Sequence, residues 1–313
     1  MEKKKLVVLT GPTAVGKTKL SIELAKRIGG EIISADSAQV YKHMDIGSAK
    51  IRPEEMEGIP HYLVDELEPS EEFNVVIFQQ KTKQYMQEIY ERGHIPILVG
   101  GTGFYIQAVL YDINFSVDDD NHQIRAELES IAGEKGAEFL HEELRKIDPA
   151  SADAIHANNV KRVIRALEYY KLTGQRISEH NEEQRKNESP YDFSYFVLND
   201  HRDLLYERID KRVDEMVTEG LIEEVKHLKE LGYDRSYVSM QALGYKEIFS
   251  FLDGEISLDD AVYIIKRDTR HFAKRQITWF KREKEVIWVN KPEFNYNNKE
   301  ILDFMCQHIN LQK

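Results

Sequence analysis

Gly11-Pro12-Thr13-Ala14-Val15-Gly16-Lys17-Thr18 is the stretch that decides the fold. It fits the pattern G-x-x-x-x-G-K-[ST] at every position, and it lies between a short apolar run and the start of a helical pattern. The run, Leu6-Val7-Val8-Leu9-Thr10, reads as a buried parallel strand, and Leu20, Leu24 and Ile28 share one stripe of a helix expected over 18–27. Glycines let backbone N–H groups curl around phosphate oxygens, and the helix N-terminus adds partial positive charge. Lys17 supplies a full charge and Thr18 offers a hydroxyl to Mg²⁺. Gly11, Pro12, Thr13, Ala14, Val15, Gly16, Lys17 and Thr18 are therefore the candidate binding site for a diphosphate or triphosphate, with Thr18 the candidate metal ligand. The motif does not name the reaction.

Outward from this loop the chain alternates. Strands are expected over 31–35, 61–65 and 95–99, with a long amphipathic helix over 73–92 that Gly93 ends. This is the rhythm of an α/β protein with a P-loop NTPase-like, doubly wound parallel sheet. From 116 to 190 the chain turns polar and helical, opening on Asp118-Asp119-Asp120. Strands return over 195–198 and 286–289, separated by a helical stretch over 203–278. The expected organisation is a first part of the core over 1–115, a helical insertion over 116–190, and core continuation with a helical C-terminal part over 191–313.

Composition is that of a globular protein: of 313 residues, 41% are hydrophobic and 31% charged. No apolar run approaches the roughly 18 to 20 residues of a membrane span. The N-terminal apolar run stops at Gly11, too early for a signal peptide. Cys306 is the single cysteine, so no internal disulfide and no cysteine-based zinc site can form. The expectation is a cytoplasmic protein without a membrane partner, and a monomer by default. A net charge of −12 argues against indiscriminate coating of nucleic acid. Yet Lys266, Arg267, Arg270, Lys274, Arg275, Lys281, Arg282 and Lys284 crowd one segment, opposed locally only by Asp268 and Glu283. That concentration reads either as a polyanion-binding face or as a solvated helix face. Phe272, Trp279 and Phe280, at i, i+7 and i+8, mark one helical face; they could stack on bases or be core, and core is the better reading for at least two of them.

Ser34-Ala35-Asp36-Ser37-Ala38-Gln39-Val40-Tyr41 falls at the carboxyl end of the second strand, where open α/β sheets bind ligands. Asp36 is placed to accept a proton beside the phosphate site, or to serve as a turn or cap aspartate. Here the sequence resembles a family. The P-loop block, Asp36-Ser37-Ala38-Gln39-Val40-Tyr41 and Gly100-Gly101-Thr102-Gly103-Phe104-Tyr105 are similar to the signatures of tRNA dimethylallyltransferases (the IPP transferase family). So are Lys161-Arg162-Val163-Ile164-Arg165-Ala166-Leu167-Glu168, Gln241-Ala242-Leu243-Gly244-Tyr245-Lys246-Glu247 and Arg270-His271-Phe272-Ala273-Lys274-Arg275-Gln276-Ile277-Thr278-Trp279-Phe280. The blocks occur in the family's order over most of the chain. The cysteine set of the zinc finger carried by eukaryotic relatives is missing, and the likeness is to the bacterial form.

The resemblance implies transfer of a dimethylallyl group from dimethylallyl diphosphate to N6 of the adenosine just 3′ of the anticodon, position 37 of a tRNA, with Mg²⁺ as cofactor. It makes Asp36 the general base, Thr13 a residue facing the bridging oxygen, and Arg212 the distal arginine on the diphosphate. Arg208, four residues earlier on the same helical face, is the alternative. It implies tRNA contact, through the anticodon stem-loop, for Asp36, Ser37, Ala38, Gln39, Thr102, Lys161, Arg162, Arg165, Gln241, Lys274 and Arg275. For Thr102 the glycine-rich turn fits either close approach to a ligand or a plain strand-to-helix turn. Other readings of the P-loop are a small-molecule or nucleotide kinase, which would require ATP, and an adenylate isopentenyltransferase acting on free AMP. A non-catalytic RNA-binding module would need neither the P-loop nor Asp36.

Overall fold

The computed structural model describes residues 3–115, 122–184 and 186–309; Asp118-Asp119-Asp120 lies outside them. The chain forms two compact units, Met1–Val109 with Tyr191–Lys313, and Leu110–Pro190. It opens with β1 (Lys4–Thr10), α1 (Lys17–Ile28), β2 (Gly30–Ala35), β3 (His61–Tyr62), α2 (Val75–Glu91), β4 (Ile95–Gly100) and α3 (Gly103–Leu110). The Leu110–Pro190 unit holds α4 (His122–Lys135), α5 (Ala137–Ile147), α6 (Pro149–Ala154), α7 (Val160–Thr173) and α8 (Ile177–Gln184). The chain then continues through β5 (Tyr191–Asn199), α9 (Arg202–Glu219), α10 (Leu221–Glu230), α11 (Tyr245–Leu252), α12 (Leu258–Phe280), β6 (Val286–Asn290) and α13 (Asn298–His308).

The six strands form one sheet in the order β3-β2-β4-β1-β5-β6, and every neighbouring pair is parallel. Parallel strands covered on both faces must be apolar throughout, which is why β1 and β2 read as continuous runs rather than alternations. Leu9, Ile32, Ile97, Phe196, Leu198 and Val289 form the core of this unit with Leu20, Leu24 and Ile28 of α1. All six expected strands are present, but the third is shorter than 61–65. Leu63 and Asp65 take left-handed φ angles of 59° and 58°, and the Leu63 N–H turns away to the Glu66 carboxylate at 2.6 Å. No ladder survives that reversal. The helix expected over 73–92 starts at Val75 because Asn74 caps it, its Oδ1 accepting the N–H groups of Val76 and Ile77, both at 3.0 Å.

In the Leu110–Pro190 unit, Leu128, Leu140, Leu144, Val163, Ile164 and Leu167 make a separate core. The buried Asp148 caps α6, accepting the Ser151 N–H at 3.0 Å, and also accepts the Ser178 N–H and hydroxyl at the start of α8.

Register fixes where chemistry can gather. Thr10 and Ala35 both pair with Gly100. The carboxyl ends of β1, β4 and β2 thus form one row, and the next residues along, Gly11, Gly101 and Asp36, open three loops side by side.

Candidate active site

The P-loop leaves β1 through Gly11, at φ 145°, where a Cβ would stand 2.5 Å from the Leu198 carbonyl oxygen of β5. Only glycine permits that approach. α1 begins at Lys17 after Gly16 in a left-handed conformation, so the loop leads directly into a helix N-terminus, the kind of end that favours anions. The Lys17 ammonium donates to the carbonyls of Gly11 and Pro12, both at 3.0 Å. Burial pushes this lysine down to about 8, opposed by the charge of Asp36 and assisted by that of Arg212. Lys17 therefore lies within reach of the charges of both Asp36 and Arg212.

Asp36, half-buried, accepts the Ala38 N–H on Oδ1 at 2.9 Å. The turn aspartate expected from spacing is thus present, and it uses one oxygen. Among the described residues the second oxygen has no hydrogen-bond partner. Tyr105 of α3 is pushed up to about 12 by burial and by the charges of the neighbouring Tyr41 and Asp36.

The choice between the two α9 arginines is visible in their partners. Arg208 donates to Asp200 at 2.5 Å, and the Asp200 carboxylate is fully buried. Arg212 has no carboxylate partner among the described residues. Burial holds its guanidinium below the usual arginine range, with Glu215 the weaker opposing charge. A desolvated guanidinium without a carboxylate partner has the chemistry to take a phosphate oxygen.

Thr18 is exposed on the first turn of α1 and its hydroxyl has no partner among the described residues, whereas its carbonyl accepts the Ser21 hydroxyl at 2.7 Å. No group of three His, Cys, Asp or Glu side chains among the described residues could hold a metal ion. One hydroxyl completed by phosphate oxygens suits Mg²⁺, which keeps waters and binds through few protein ligands.

The other expected contact residues divide. Ser37 is exposed and Ala38 half-buried on the Asp36 loop. Gln39 is engaged internally: its amide donates to the carbonyls of Ser48 and Ala49 at 3.4 and 3.2 Å. Thr102 opens α3, its N–H donating to Ala35 at 3.2 Å and its carbonyl accepting from Tyr105 and Ile106. The surrounding glycines make room for protein, because a Cβ at Gly100, Gly101 or Gly103 would lie 2.1 to 2.2 Å from Ala35, Gln276 or Trp279. Gln241 is exposed and donates to the Arg235 carbonyl. On α7, Lys161 and Arg162 are exposed, whereas Arg165 donates to the buried Glu168 at 3.2 Å, which Arg125 also reaches at 2.9 Å.

The basic segment also divides. Lys266 pairs with Asp214 at 2.6 Å, Arg270 with Asp210, and Arg267 with Asp268 at 2.7 Å. Two of these carboxylates come from α9, so more than the local Asp268 and Glu283 oppose the cations. Lys274, Arg275 and Arg282 have no acidic partner among the described residues. With His271, Thr278 and Trp279 they line an open concavity of about 450 Å³. Phe280 is fully buried and Trp279 packs against Phe104 with ring centroids 6.3 Å apart, so both are structural.

Sequence reasoning missed Gln276 as an individual residue. Its amide accepts the Thr13 N–H at 2.9 Å and donates to the Gly101 carbonyl at 3.0 Å. A polar residue on the otherwise apolar inward stripe Ala273, Gln276, Phe280 was the available signal.

A model of the IPP transferase family matches residues 39–283. The chain belongs to this family. An IPP transferase relative, the tRNA dimethylallyltransferase of Lachnoclostridium phytofermentans, is 66% identical over 290 residues, 93% of each chain. The protein of that name from Acetivibrio thermocellus is 54% identical over 95% of each chain. Among solved structures, the tRNA isopentenylpyrophosphate transferase of Bacillus halodurans aligns with a TM-score of 0.74 at 47% identity, covering 98% of this chain and 97% of that one. A eukaryotic dimethylallyltransferase described as acting on tRNA aligns with a TM-score of 0.82 at 32% identity, covering 99% of this chain and 81% of that one. The IPP transferase fold in this chain is the all-parallel, P-loop-like sheet described above. Among the described residues no helix is long and apolar enough to cross a membrane.

Proposed function

We infer that this protein is a tRNA dimethylallyltransferase, moving the dimethylallyl group of dimethylallyl diphosphate to N6 of adenosine 37 and releasing diphosphate. The observation that carries the reading is Lys17 of the P-loop, bonded to the Gly11 and Pro12 carbonyls and within reach of the charges of Asp36 and Arg212. Two cations suit a diphosphate, and a carboxylate with a free oxygen suits a proton.

The residues divide the work as follows. N–H groups of the P-loop, Lys17 and Arg212 hold the diphosphate and stabilise the charge that grows on it as the allylic C–O bond breaks. The Thr18 hydroxyl would hold Mg²⁺, which would supply further neutralisation of that charge. Thr13 lies on the loop beside the departing oxygen. As N6 forms its bond to the allylic carbon, its proton passes to the free oxygen of Asp36. The adenine has to leave its stack to reach this site, at a cost of a few kcal/mol. Lys274, Arg275 and Arg282 on α12 supply unpaired cations for the tRNA backbone, and Lys161 and Arg162 do so on α7. This is the work of a cytoplasmic enzyme.

The test offers three substrate sets to the purified protein with Mg²⁺: labelled dimethylallyl diphosphate with unmodified tRNA, the same donor with AMP, and labelled ATP with tRNA. Label entering tRNA from the first set alone supports the reading. Transfer to AMP in preference, or consumption of ATP without prenyl transfer, overturns it.

A further inference from the structure

Gln276 lies 263 positions from Thr13 in the chain, yet its side chain makes the closest polar contact that Thr13 has. We propose that Gln276 is a positioning residue that sets the Thr13 end of the phosphate loop and ties it to α12. The inference rests on the site reading above.

A buried amide is costly unless both ends are satisfied. Gln276 is 6% exposed, on the face of α12 that carries Ala273 and Phe280, and here both ends are satisfied by backbone. Its orientation is fixed by chemistry: an N–H can only meet Oε1 and a carbonyl can only meet Nε2. The bond takes the Thr13 N–H out of the set available to phosphate and pins the Pro12–Thr13 peptide plane. The Thr13 hydroxyl, which has no partner among the described residues, is then left with little freedom beyond its own χ1. At the other end Gly101 leaves room for the amide, because a Cβ there would stand 2.1 Å from the Gln276 Nε2 and displace it. The opposite face of the same helix carries Lys274, Arg275 and Thr278. One rigid element thus carries the polyanion-facing cations outside and the register of the diphosphate loop inside.

The test uses Gln276→Met, which keeps length and volume but removes both hydrogen bonds, and Gly101→Ala, which crowds the amide from the far side. Three quantities are read in the intact enzyme: hydrogen exchange at the Thr13 amide, the rate constant for dimethylallyl transfer under single-turnover conditions, and KM for tRNA. The expected result is lost protection at Thr13 in both variants, a transfer rate down about 100-fold, as for a displacement near 1 Å at a reacting centre, and KM within about 3-fold of wild type. An unchanged transfer rate despite lost protection would overturn the proposal, and so would retained protection. Failure of both variants to fold would overturn it too, since the residue would then be holding the fold and not the loop. A wild type that transfers no dimethylallyl group, while Thr13 exchange responds as expected, would strike the functional reading and leave the loop contact standing.

Discussion

Arg208 and Asp200 form an ion pair at 2.5 Å whose carboxylate is fully buried, and that pair leaves Arg212, one turn further along α9, as the unpaired guanidinium near Lys17. The two arginines are interchangeable by spacing and differ in pairing. Arg212→Ala should cut the transfer rate by about 10²- to 10³-fold, the loss seen when one donor to developing charge is removed, with little change in melting temperature. Arg208→Ala should do the reverse: Asp200 keeps the Tyr296 hydroxyl at 3.0 Å but loses its countercharge, costing about 1–3 kcal/mol of stability. Thermal melts and single-turnover kinetics on the two variants separate the cases.

Lys17, held down to about 8 by burial, gives diphosphate binding a pH dependence. A bound anion favours the ammonium and raises its pKa. The contribution of Lys17 to diphosphate affinity, once the ligand's own protonation is accounted for, should therefore be flat below pH 8 and fall as pH rises above it, approaching a factor of about ten per unit. Above pH 8 binding should take up a proton, readable by calorimetry in buffers of different ionisation enthalpy. Lys17→Met should bind weakly and without that uptake. In the free protein the lowered lysine contributes the opposite trend. The unfolded chain binds the proton more tightly between pH 8 and 10.5, so this group alone makes stability rise across that window.

The cations of α12 should separate by pairing. Lys274→Ala, Arg275→Ala and Arg282→Ala should each weaken tRNA binding and lower the salt slope of the affinity by about one unit. Lys266→Ala and Arg270→Ala, whose partners are Asp214 and Asp210, should leave that slope nearly unchanged. Affinities measured at several salt concentrations decide it.

What the sequence made legible was local. The P-loop, the buried strands and the Asp36 turn are each specified within a dozen residues, so pattern and spacing were enough to find them. What it hid depends on which distant element packs where. Asp200 claims Arg208, Asp210 and Asp214 claim Arg270 and Lys266, and Glu168 claims Arg165. None of these choices is written in the spacing of the cations. The glycines around Thr102 fit close approach to a ligand or a plain turn by sequence; a Cβ at Gly100, Gly101 or Gly103 would meet Ala35, Gln276 or Trp279, packing that spacing alone does not show. The end of β3 was overextended because the reversal starts with a left-handed φ at Leu63, a residue that carries no turn signature.

The central claim is that Asp36 takes the N6 proton while the P-loop holds the leaving diphosphate. Asp36→Asn tests it most directly, because the amide oxygen can still accept the Ala38 N–H and keep the turn. With unmodified tRNA, labelled dimethylallyl diphosphate and Mg²⁺, single-turnover incorporation of label should fall about 10²- to 10⁴-fold, while inorganic diphosphate still binds. Incorporation at the wild-type rate in Asp36→Asn would contradict the account.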